Sequence, residues 1–150
     1  MGLFAETTIV NKPLHLIPIP LDLLTGRVLD LKTRGFRLAQ IGAARRGDIL
    51  DLTYSFGKDL ELVNLRVEVP ARQARIPSIS PVFWCAFVYE NEIHDLFDIE
   101  VDNLAVDFQG HFYETAVRYP FGSPRAPLAP PASLPGGAVS TVTAASASTP

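Results

Sequence analysis

Two neighbouring stretches of the chain alternate between apolar and polar side chains. Every second residue is apolar from 50 to 56 and again from 63 to 69, and Gly57, Lys58 and Asp59 lie between the two stretches. This period of two predicts antiparallel strands with one buried face and one solvated face, joined by a turn. Pro70 ends the second strand because proline cannot donate to a strand ladder. The chain must therefore build a sheet whose single apolar face needs a cover.

Three further segments have strand character. Residues 36–44 are expected to form a strand before a polar turn at 45–48, and residues 104–108 a short strand. Residues 1–19 are apolar and rich in strand formers, which predicts a strand or strand-like arm.

Two helices are predicted to cover the sheet. Residues 21–33 place apolar side chains on one stripe and are followed by Gly35, a typical residue just past a helix end. Ser80 followed by Pro81 predicts that a second helix starts at about Pro81. The fold class is therefore α/β (α+β): a two-layer sandwich in which two main helices cover one face of a mostly antiparallel sheet of three to five strands.

The composition changes abruptly at Pro120. Seven of the residues from 120 to 150 are proline, seven are alanine, and Arg125 carries the only side-chain charge. Such a segment cannot bury enough apolar surface to offset the entropy lost on ordering. We expect a folded domain at residues 1–119 and a disordered, flexible tail at residues 120–150.

Residues 77–99 carry the only Trp, the only Cys, three of the nine Phe and a cluster of carboxylates. From Ala86 to Phe97 apolar residues recur at steps of three and four with acidic and polar residues between them, which predicts an amphipathic helix with an acidic outer face. Residues 82–88 are apolar on all sides. This part needs a cover on both sides, and the sheet supplies only one. The second cover is either a partner protein or the chain's own N-terminal segment or a loop.

The same stretch resembles the signature of a known family. The matching residues are Pro77-Ser78-Ile79, then Trp84 and Ala86, then Glu90-Asn91-Glu92, and finally Asp95-Leu96-Phe97 with Ile99. This run is similar to the signature of the 30-kDa subunit family of respiratory complex I, and is closest to the short members found in energy-converting, Ech-type membrane-bound NiFe hydrogenases. The resemblance extends from about Leu21 to Tyr119.

Two positions depart from the family pattern. Asn91 stands where the family usually has Arg, and Asp98 where it usually has Gly. Asp is tolerated if the position is a left-handed helix end, because Asp visits that region more readily than most residues with a side chain.

The resemblance implies an accessory structural subunit of the hydrophilic arm of a larger oxidoreductase complex. In that family the domain carries no cofactor and no catalytic residue, and it packs on a hydrogenase-like catalytic large subunit. Iron–sulfur subunits lie nearby, and membrane-arm subunits are reached only indirectly. The NiFe site and the iron–sulfur clusters are therefore expected in partner subunits. The resemblance also implies a partner-docking surface, formed by Trp84, Phe87, Glu90, Glu92, Asp95 and Phe97.

Charge and cysteine content argue against several classes of function. The net charge of -3 argues against nonspecific nucleic-acid binding. Residues 27–75 hold ten Lys/Arg against six Asp/Glu, whereas residues 90–107 hold seven Asp/Glu and no Lys or Arg, which favours docking by charge-complementary contacts. The single Cys85 excludes an internal disulfide and leaves no cysteine framework for zinc or an iron–sulfur cluster.

The sequence also predicts where the protein is found. We expect no signal peptide and no direct membrane span, because no apolar run approaches the roughly 20 residues that a spanning helix needs. The predicted location is the cytoplasm, peripheral to the inner (cell) membrane through the complex.

Two alternatives remain open. One is a small free-standing enzyme that uses Glu92 or Asp95 with a His as an acid/base pair, and it predicts a deep pocket lined by those groups. On a helix, however, Glu92 and His94 point to different faces, and the spacing of metal-ligand motifs is missing. The other alternative is a generic adaptor, which differs from the complex subunit only in the identity of its partner.

Overall fold

The computed structural model describes residues 16–122 of the chain. The elements follow one another as β1 (Leu16–Pro18), a single 3-10 turn (Leu21–Leu23), α1 (Leu24–Thr33), β2 (Arg37–Arg46), β3 (Ile49–Lys58), β4 (Glu61–Pro70), β5 (Arg75–Pro77), α2 (Ala86–Phe97) and β6 (Glu100–Asp102).

The main sheet has four strands in the order β1-β4-β3-β2. β2, β3 and β4 form the predicted antiparallel meander. β1 lies at the other edge and runs parallel to β4, with Leu16 opposite Asn64 and Pro18 opposite Arg66. β5 and β6 form a separate parallel pair. The meander accounts for the alternating sequence pattern, because hairpin strands buried on one face read with a period of two.

One hydrophobic core lies between the sheet and the helices. The inward side chains of β3, which include Leu52, Tyr54 and Phe56, are almost completely buried. α1 adds Leu24, Val28 and Leu31 to the same core. α2 adds its own apolar stripe, so the predicted two-layer sandwich with helices on one face of the sheet is confirmed.

The outer face of the sheet carries an ion-pair network instead of apolar side chains. Arg66 donates two hydrogen bonds to Asp51, at 2.8 and 2.6 Å, and Arg46 contacts both Asp51 and Glu68. The guanidinium of Arg66 holds the pKa of the Asp51 carboxyl below its usual value, by its hydrogen bonds and by its charge. This polar surface confirms that the sheet needs a cover on one face only.

The predicted ends of both helices are confirmed. Gly35 follows α1 with a φ of +84°, a left-handed conformation that glycine adopts without steric cost. Asp98 follows α2 at φ 62° and ψ 40°, and its backbone N–H donates to the carbonyl of His94. The position where the family usually has Gly is therefore a left-handed helix end.

α2 packs at the β2 edge of the sheet. The register of β2 shifts between Leu38 and Gln40, which forms a bulge at Ala39. The hydroxyl of Tyr89 donates to the carbonyl of Ala39 at 3.0 Å. A bulge interrupts the ladder and leaves a backbone group for another partner, and here that partner is a side chain of α2.

The predicted start of the second helix is wrong, because α2 begins at Ala86 and not at about Pro81. Residues 80–85 form turns, in which the amides of Val82 and Phe83 both donate to the carbonyl of Ile79. The Ser80 hydroxyl does not cap a helix. It accepts a hydrogen bond from the amide of Ala105 at 3.0 Å.

The predicted strand at residues 104–108 is also wrong. The strand after α2 is β6, Glu100–Asp102, and it pairs with β5, a strand that the sequence did not predict. Residues 104–108 are irregular and bond to side chains of α2, as described below. Of the predicted N-terminal arm, β1 is confirmed and residues 1–15 lie outside the described residues. The predicted tail also lies outside them from residue 123 onward.

Candidate docking surface

α2 buries polar side chains together with apolar ones. Ala86, Ile93 and Phe97 are buried as its apolar stripe predicts, and Glu90, Asn91 and Asp95 are buried with them. The predicted acidic outer face is therefore wrong in part, because these polar groups point inward. Buried polar groups require hydrogen-bond partners, and the partners here come from the irregular segments around the helix.

Glu90 holds the loop that precedes the helix. One carboxylate oxygen accepts from the Ser78 hydroxyl at 2.7 Å and the other accepts from the amide of Ile79 at 2.6 Å. The hydroxyls of Ser78 and Ser80 lie 2.5 Å apart, so the contact continues to Ser80. Burial raises the pKa of the Glu90 carboxyl above its usual value, while the hydrogen bonds that it accepts act in the opposite direction.

Tyr54 faces the same group from the sheet. Its hydroxyl is buried and has no hydrogen-bond partner among the residues that the structure describes. Burial raises the pKa of the Tyr54 phenol strongly, and the charge of Glu90 adds to that effect. Tyr54 and Glu90 are thus buried polar groups of the two layers that affect each other through charge and share no hydrogen bond.

Asn91 holds the segment after β6. Its amide group donates to the carbonyl of Val106 at 2.8 Å, and its side-chain oxygen accepts from the amide of Phe108 at 3.0 Å. The amide group also donates to the carbonyl of Phe87, one turn earlier in the helix. Within the described part of the chain residues 104–108 have no neighbouring strand, and the bonds to Asn91 satisfy two of their backbone groups instead.

His94 and Asp95 bond to the backbone at Ile99, just after the helix, and at Tyr113. His94 donates from Nδ1 to the carbonyl of Ile99 at 2.8 Å, which fixes the tautomer with the proton on that nitrogen. Asp95 accepts the amide of Tyr113 on one oxygen at 2.8 Å, and its other oxygen is buried with no hydrogen-bond partner in the described part of the chain. Neither residue has the exposed arrangement of an acid/base pair.

The six residues predicted to dock a partner do not share one surface in the isolated chain. Trp84 is 63% exposed, and Phe87 and Glu92 are half-buried. Glu90 and Asp95 are buried in the contacts above, and Phe97 packs on Phe121 with ring centroids 5.5 Å apart. The docking role of all six stays a prediction, and Trp84, Phe87 and Glu92 are the three that reach solvent.

The outer side of α2 carries exposed aromatic side chains instead. Trp84 and Phe87 are in contact at 5.6 Å, and Val88 is exposed beside them. Phe108 and Tyr113 are exposed on the segment that Asn91 and Asp95 hold, and both contact the ring of Phe112. We call this surface the aromatic strip; it comprises Trp84, Phe87, Val88, Phe108, Phe112 and Tyr113.

The sequence predicted only the first part of the aromatic strip. Phe108 ends the segment 104–108, which the sequence predicts as a strand, and the sequence predicts no docking role for Phe112 or Tyr113. The available signal was the density of aromatic residues after Asp107. Trp84, Cys85 and Val88 are exposed among the described residues, so the second cover of residues 82–88 stays a prediction.

Comparison with known proteins decides the family. The family model described as "Respiratory-chain NADH dehydrogenase, 30 Kd subunit" matches residues 28–117. The chain belongs to this family. The match lies inside the region from Leu21 to Tyr119 over which the sequence resembles the family, so that prediction is confirmed. No curated protein matches the chain.

Two solved structures share the fold of this 30 Kd subunit family member. A chain from the structure of the membrane-bound sulfane sulfur reductase, an archaeal respiratory membrane complex, aligns with a TM-score of 0.55 and 21% identity. That alignment covers 59% of this chain and 56% of that chain, so the match spans little more than half of the relative. The trypsin-resistant fragment (1-134) of Nqo5 aligns with a TM-score of 0.54 and 21% identity, over 62% of this chain and 81% of that one.

In this family member, fewer of the carboxylates around α2 are free than the sequence suggests. Of the seven carboxylates between 90 and 107, Glu90 and Asp95 are buried, and Glu100 and Asp102 lie within 3.8 Å of Arg75. Glu92 and Asp107 have no cationic partner among residues 16–122. Glu92 accepts a 3.5 Å hydrogen bond from the Tyr113 hydroxyl, and its charge raises the pKa of that phenol.

The family member's described residues do not form a metal site. No three His, Cys, Asp or Glu side chains among residues 16–122 lie close enough together to hold a metal ion. None of the helices within that range is long and apolar enough to span a membrane.

Proposed function

We propose that this chain is a cofactor-free accessory structural subunit in the hydrophilic arm of a membrane-bound respiratory complex of the complex I or NiFe hydrogenase type. It docks on the catalytic large subunit through the aromatic strip. In this proposal the NiFe site and the iron–sulfur clusters belong to partner subunits. The chain itself lies on the cytoplasmic side, peripheral to the membrane through the complex.

One observation carries the proposal. α2 uses its polar side chains internally, to hold residues 78–80, 106–108 and 113, and leaves large aromatic side chains outside. Exposed Trp and Tyr are enriched at protein interfaces and are energetically dominant there. The strip consists of two groups of rings on either side of Asn91, and exposed apolar patches on a small domain also mark interaction sites. Polar groups that brace the surface from inside favour a docking role over catalysis.

The enzyme alternative has no comparable support. Two of its acid/base candidates each bond to the backbone through one atom, since Asp95 accepts a backbone amide on one oxygen and His94 donates from Nδ1 to a backbone carbonyl. Glu92 is the remaining candidate, and its contact is the Tyr113 hydroxyl on the outer surface.

The first test is the composition of the complex. The tagged wild-type chain is purified from its native membranes in mild detergent, and the co-purifying proteins are identified by mass spectrometry and metal analysis. Recovery of a hydrogenase-like large subunit with iron–sulfur subunits is the expected result, and nickel in the eluate would identify the hydrogenase type. Recovery of the chain alone, free of metal, would overturn the proposal.

The aromatic strip is tested by Trp84→Ala, with Leu62→Ala as the matched control. Both side chains are apolar and largely exposed, at 63% and 54%, but Leu62 lies on β4 on the same face as Arg66, opposite the helices. We expect Trp84→Ala to lower recovery of the large subunit roughly thirtyfold, because an interface Trp contributes about 2 kcal/mol. Leu62→Ala should leave recovery unchanged. Equal recovery with both variants would contradict docking through the strip.

A further inference from the structure

A second candidate interface lies at the opposite edge of the sheet from the aromatic strip. A groove of about 160 Å³ opens between α1 and the strands β1 and β4. The sheet order places β1 and β4 on one side and β2, which contacts α2, on the other. A protein surface that covers one of these edges therefore meets a different part of the domain from one that covers the other.

The interior of the groove is aliphatic. Its floor and walls are formed by five side chains, which are Ile17, Ile19, Leu31, Val63 and Leu65. Ile17 is 37% exposed there. A water molecule takes about 30 Å³ in the liquid, so the space is large enough for an aliphatic side chain, and an apolar lining offers water no hydrogen bonds. The groove therefore favours an apolar occupant.

The rim of the groove carries two arginines and one aspartate. Arg27 and Asp30 lie on α1, and Arg34 directly follows its last residue. Asp30 and Arg34 form an ion pair at 3.6 Å. Arg27 has no hydrogen bond or ion pair with any residue between 16 and 122, so within that range its guanidinium is unpaired at the mouth. Arginine binds carboxylates with two parallel hydrogen bonds, so the occupant that fits best carries a carboxylate beside its apolar group.

The two candidate interfaces differ in position and in the charges that have no ionic partner among residues 16–122. Beside the aromatic strip these are the carboxylates of Glu92 and Asp107, together with the Arg118 guanidinium near Gly110, whereas at the groove it is Arg27. A carboxylate that pairs with Arg27 has the wrong sign for Glu92 and Asp107, because like charges repel across an interface. Two partners, or two differently charged parts of one assembly, therefore fit the two surfaces better than one uniformly charged surface.

We propose that the groove receives a segment of a second partner subunit, distinct from the catalytic large subunit, so that this chain bridges two subunits. The segment inserts an aliphatic side chain between α1 and the β1–β4 edge and places an Asp or Glu carboxylate against Arg27. The chain's own residues beyond Pro120 do not meet this requirement, since their only charged side chain is Arg125. The inference rests on the proposed function and adds a second contact to it.

The test places a photoreactive benzoylphenylalanine at position 23, and at position 72 as a control. Leu23 is 49% exposed and lies one turn before Arg27, so the probe is next to the mouth of the groove and Arg27 itself stays in place. Arg72 is exposed and does not line the groove. Each tagged variant is expressed in the native host, the complex is isolated from membranes and irradiated, and cross-linked peptides are sequenced. The expected result is an adduct from position 23 to an aliphatic, Asp- or Glu-containing segment of a subunit other than the large one, in higher yield than any adduct of that segment with position 72.

Other outcomes would overturn the inference. An adduct to residues 1–15 or 123–150 of this chain would show that the groove is filled from within, and an adduct to lipid or to the large subunit would identify a different occupant. An intact complex without any adduct at position 23 would show that no segment covers the mouth of the groove. These results leave the proposed function standing. Recovery of the wild-type chain alone would overturn both.

A charge reversal gives an independent measure. Arg27→Glu should lower recovery of the second subunit roughly tenfold without lowering that of the large subunit, as expected for loss of an interface arginine. Arg72→Glu should leave both unchanged. Replacing the cross-linked Asp or Glu of the partner by Lys should restore recovery with Arg27→Glu. Equal recovery of the second subunit from wild type and Arg27→Glu would contradict the contact.

Discussion

α1 and α2 pack on the same sheet, but different interactions hold them. α1 buries Leu24, Val28 and Leu31 and no polar side chain. α2 buries Glu90, Asn91 and Asp95 beside its apolar stripe. Apolar packing has no direction and fixes a helix against a surface, whereas hydrogen bonds fix particular backbone groups. α1 is therefore held in place by apolar packing, whereas α2 also determines the shape of the irregular segments that carry half of the aromatic strip.

Glu90→Ala is expected to have the largest effect on stability. It leaves the Ser78 hydroxyl and the Ile79 amide buried without an acceptor, at a cost of about 3 kcal/mol in the free energy of unfolding. Leu24→Ala on α1 should cost a similar amount through the cavity that it leaves. Urea denaturation measures both.

Hydrogen exchange distinguishes the two variants. Glu90→Ala should speed exchange first in residues 78–80, whereas Leu24→Ala should lower protection throughout the core. Glu90→Gln is the conservative control, because its amide oxygen still accepts from Ile79. If Glu90→Ala and Leu24→Ala loosened the same amides, the distinction between the helices would be wrong.

Asn91→Ala should have an intermediate effect, of about 2 kcal/mol, because the carbonyl of Val106 and the amide of Phe108 both lose their partner. The exchange rate of the Phe108 amide, measured by NMR, should rise with little change in the meander. The matched control on α1 is Thr33→Ala, which removes one exposed hydrogen bond to Leu29 and should cost less than about 0.5 kcal/mol. Unchanged exchange at Phe108 would contradict the role assigned to Asn91.

The pH dependence of stability should show the smallest effect. A carboxyl whose pKa is raised in the folded protein binds its proton more tightly there than in the unfolded chain. Its stabilisation is therefore complete below the usual value near 4.5 and is lost as the pH rises through the folded pKa. For Glu90 we expect the free energy of unfolding to fall above that value, by at most about 1.4 kcal/mol per pH unit for one proton.

Glu90→Gln provides the control for this measurement, since it should remove the decrease. Asp51 and Asp102 have lowered pKa values, so their stabilisation is lost only as the pH falls below 3.8, in a separate range. The experiment is urea denaturation at a series of pH values between 5 and 8. The same slope in wild type and Glu90→Gln would show that another group is responsible.

The sequence was informative wherever local chemistry decides the structure. The alternation in β3 and β4, the glycine after α1 and the left-handed Asp98 were all predictable, because each depends on a residue and its immediate neighbours. The fold class and the family followed from these patterns and from the motif in α2.

The sequence was least informative where a distant partner decides the structure. Ser80 looks like a helix cap, but its hydroxyl accepts from Ala105. Glu90 and Asp95 look like members of an exposed acidic face, but backbone amides at Ile79 and Tyr113 draw them inward. Local periodicity assigns a carboxylate to solvent and has no information on such partners, so the inner role of α2 and the full aromatic strip required the structure.

The long-range partners of β1 and α2 also determine the order in which the elements can fold during synthesis. The meander of β2, β3 and β4 consists of consecutive hairpins and can form as soon as it leaves the ribosome. β1 is made first, yet its parallel partner is β4, so it has to wait until the meander is complete. α2 waits longer still, because Asn91 and Asp95 find their partners only when residues 106–113 have been made. A ribosome that stalls between α2 and this segment would therefore hold a nascent chain with a formed sheet and buried polar groups still unpaired, a ready substrate for chaperones.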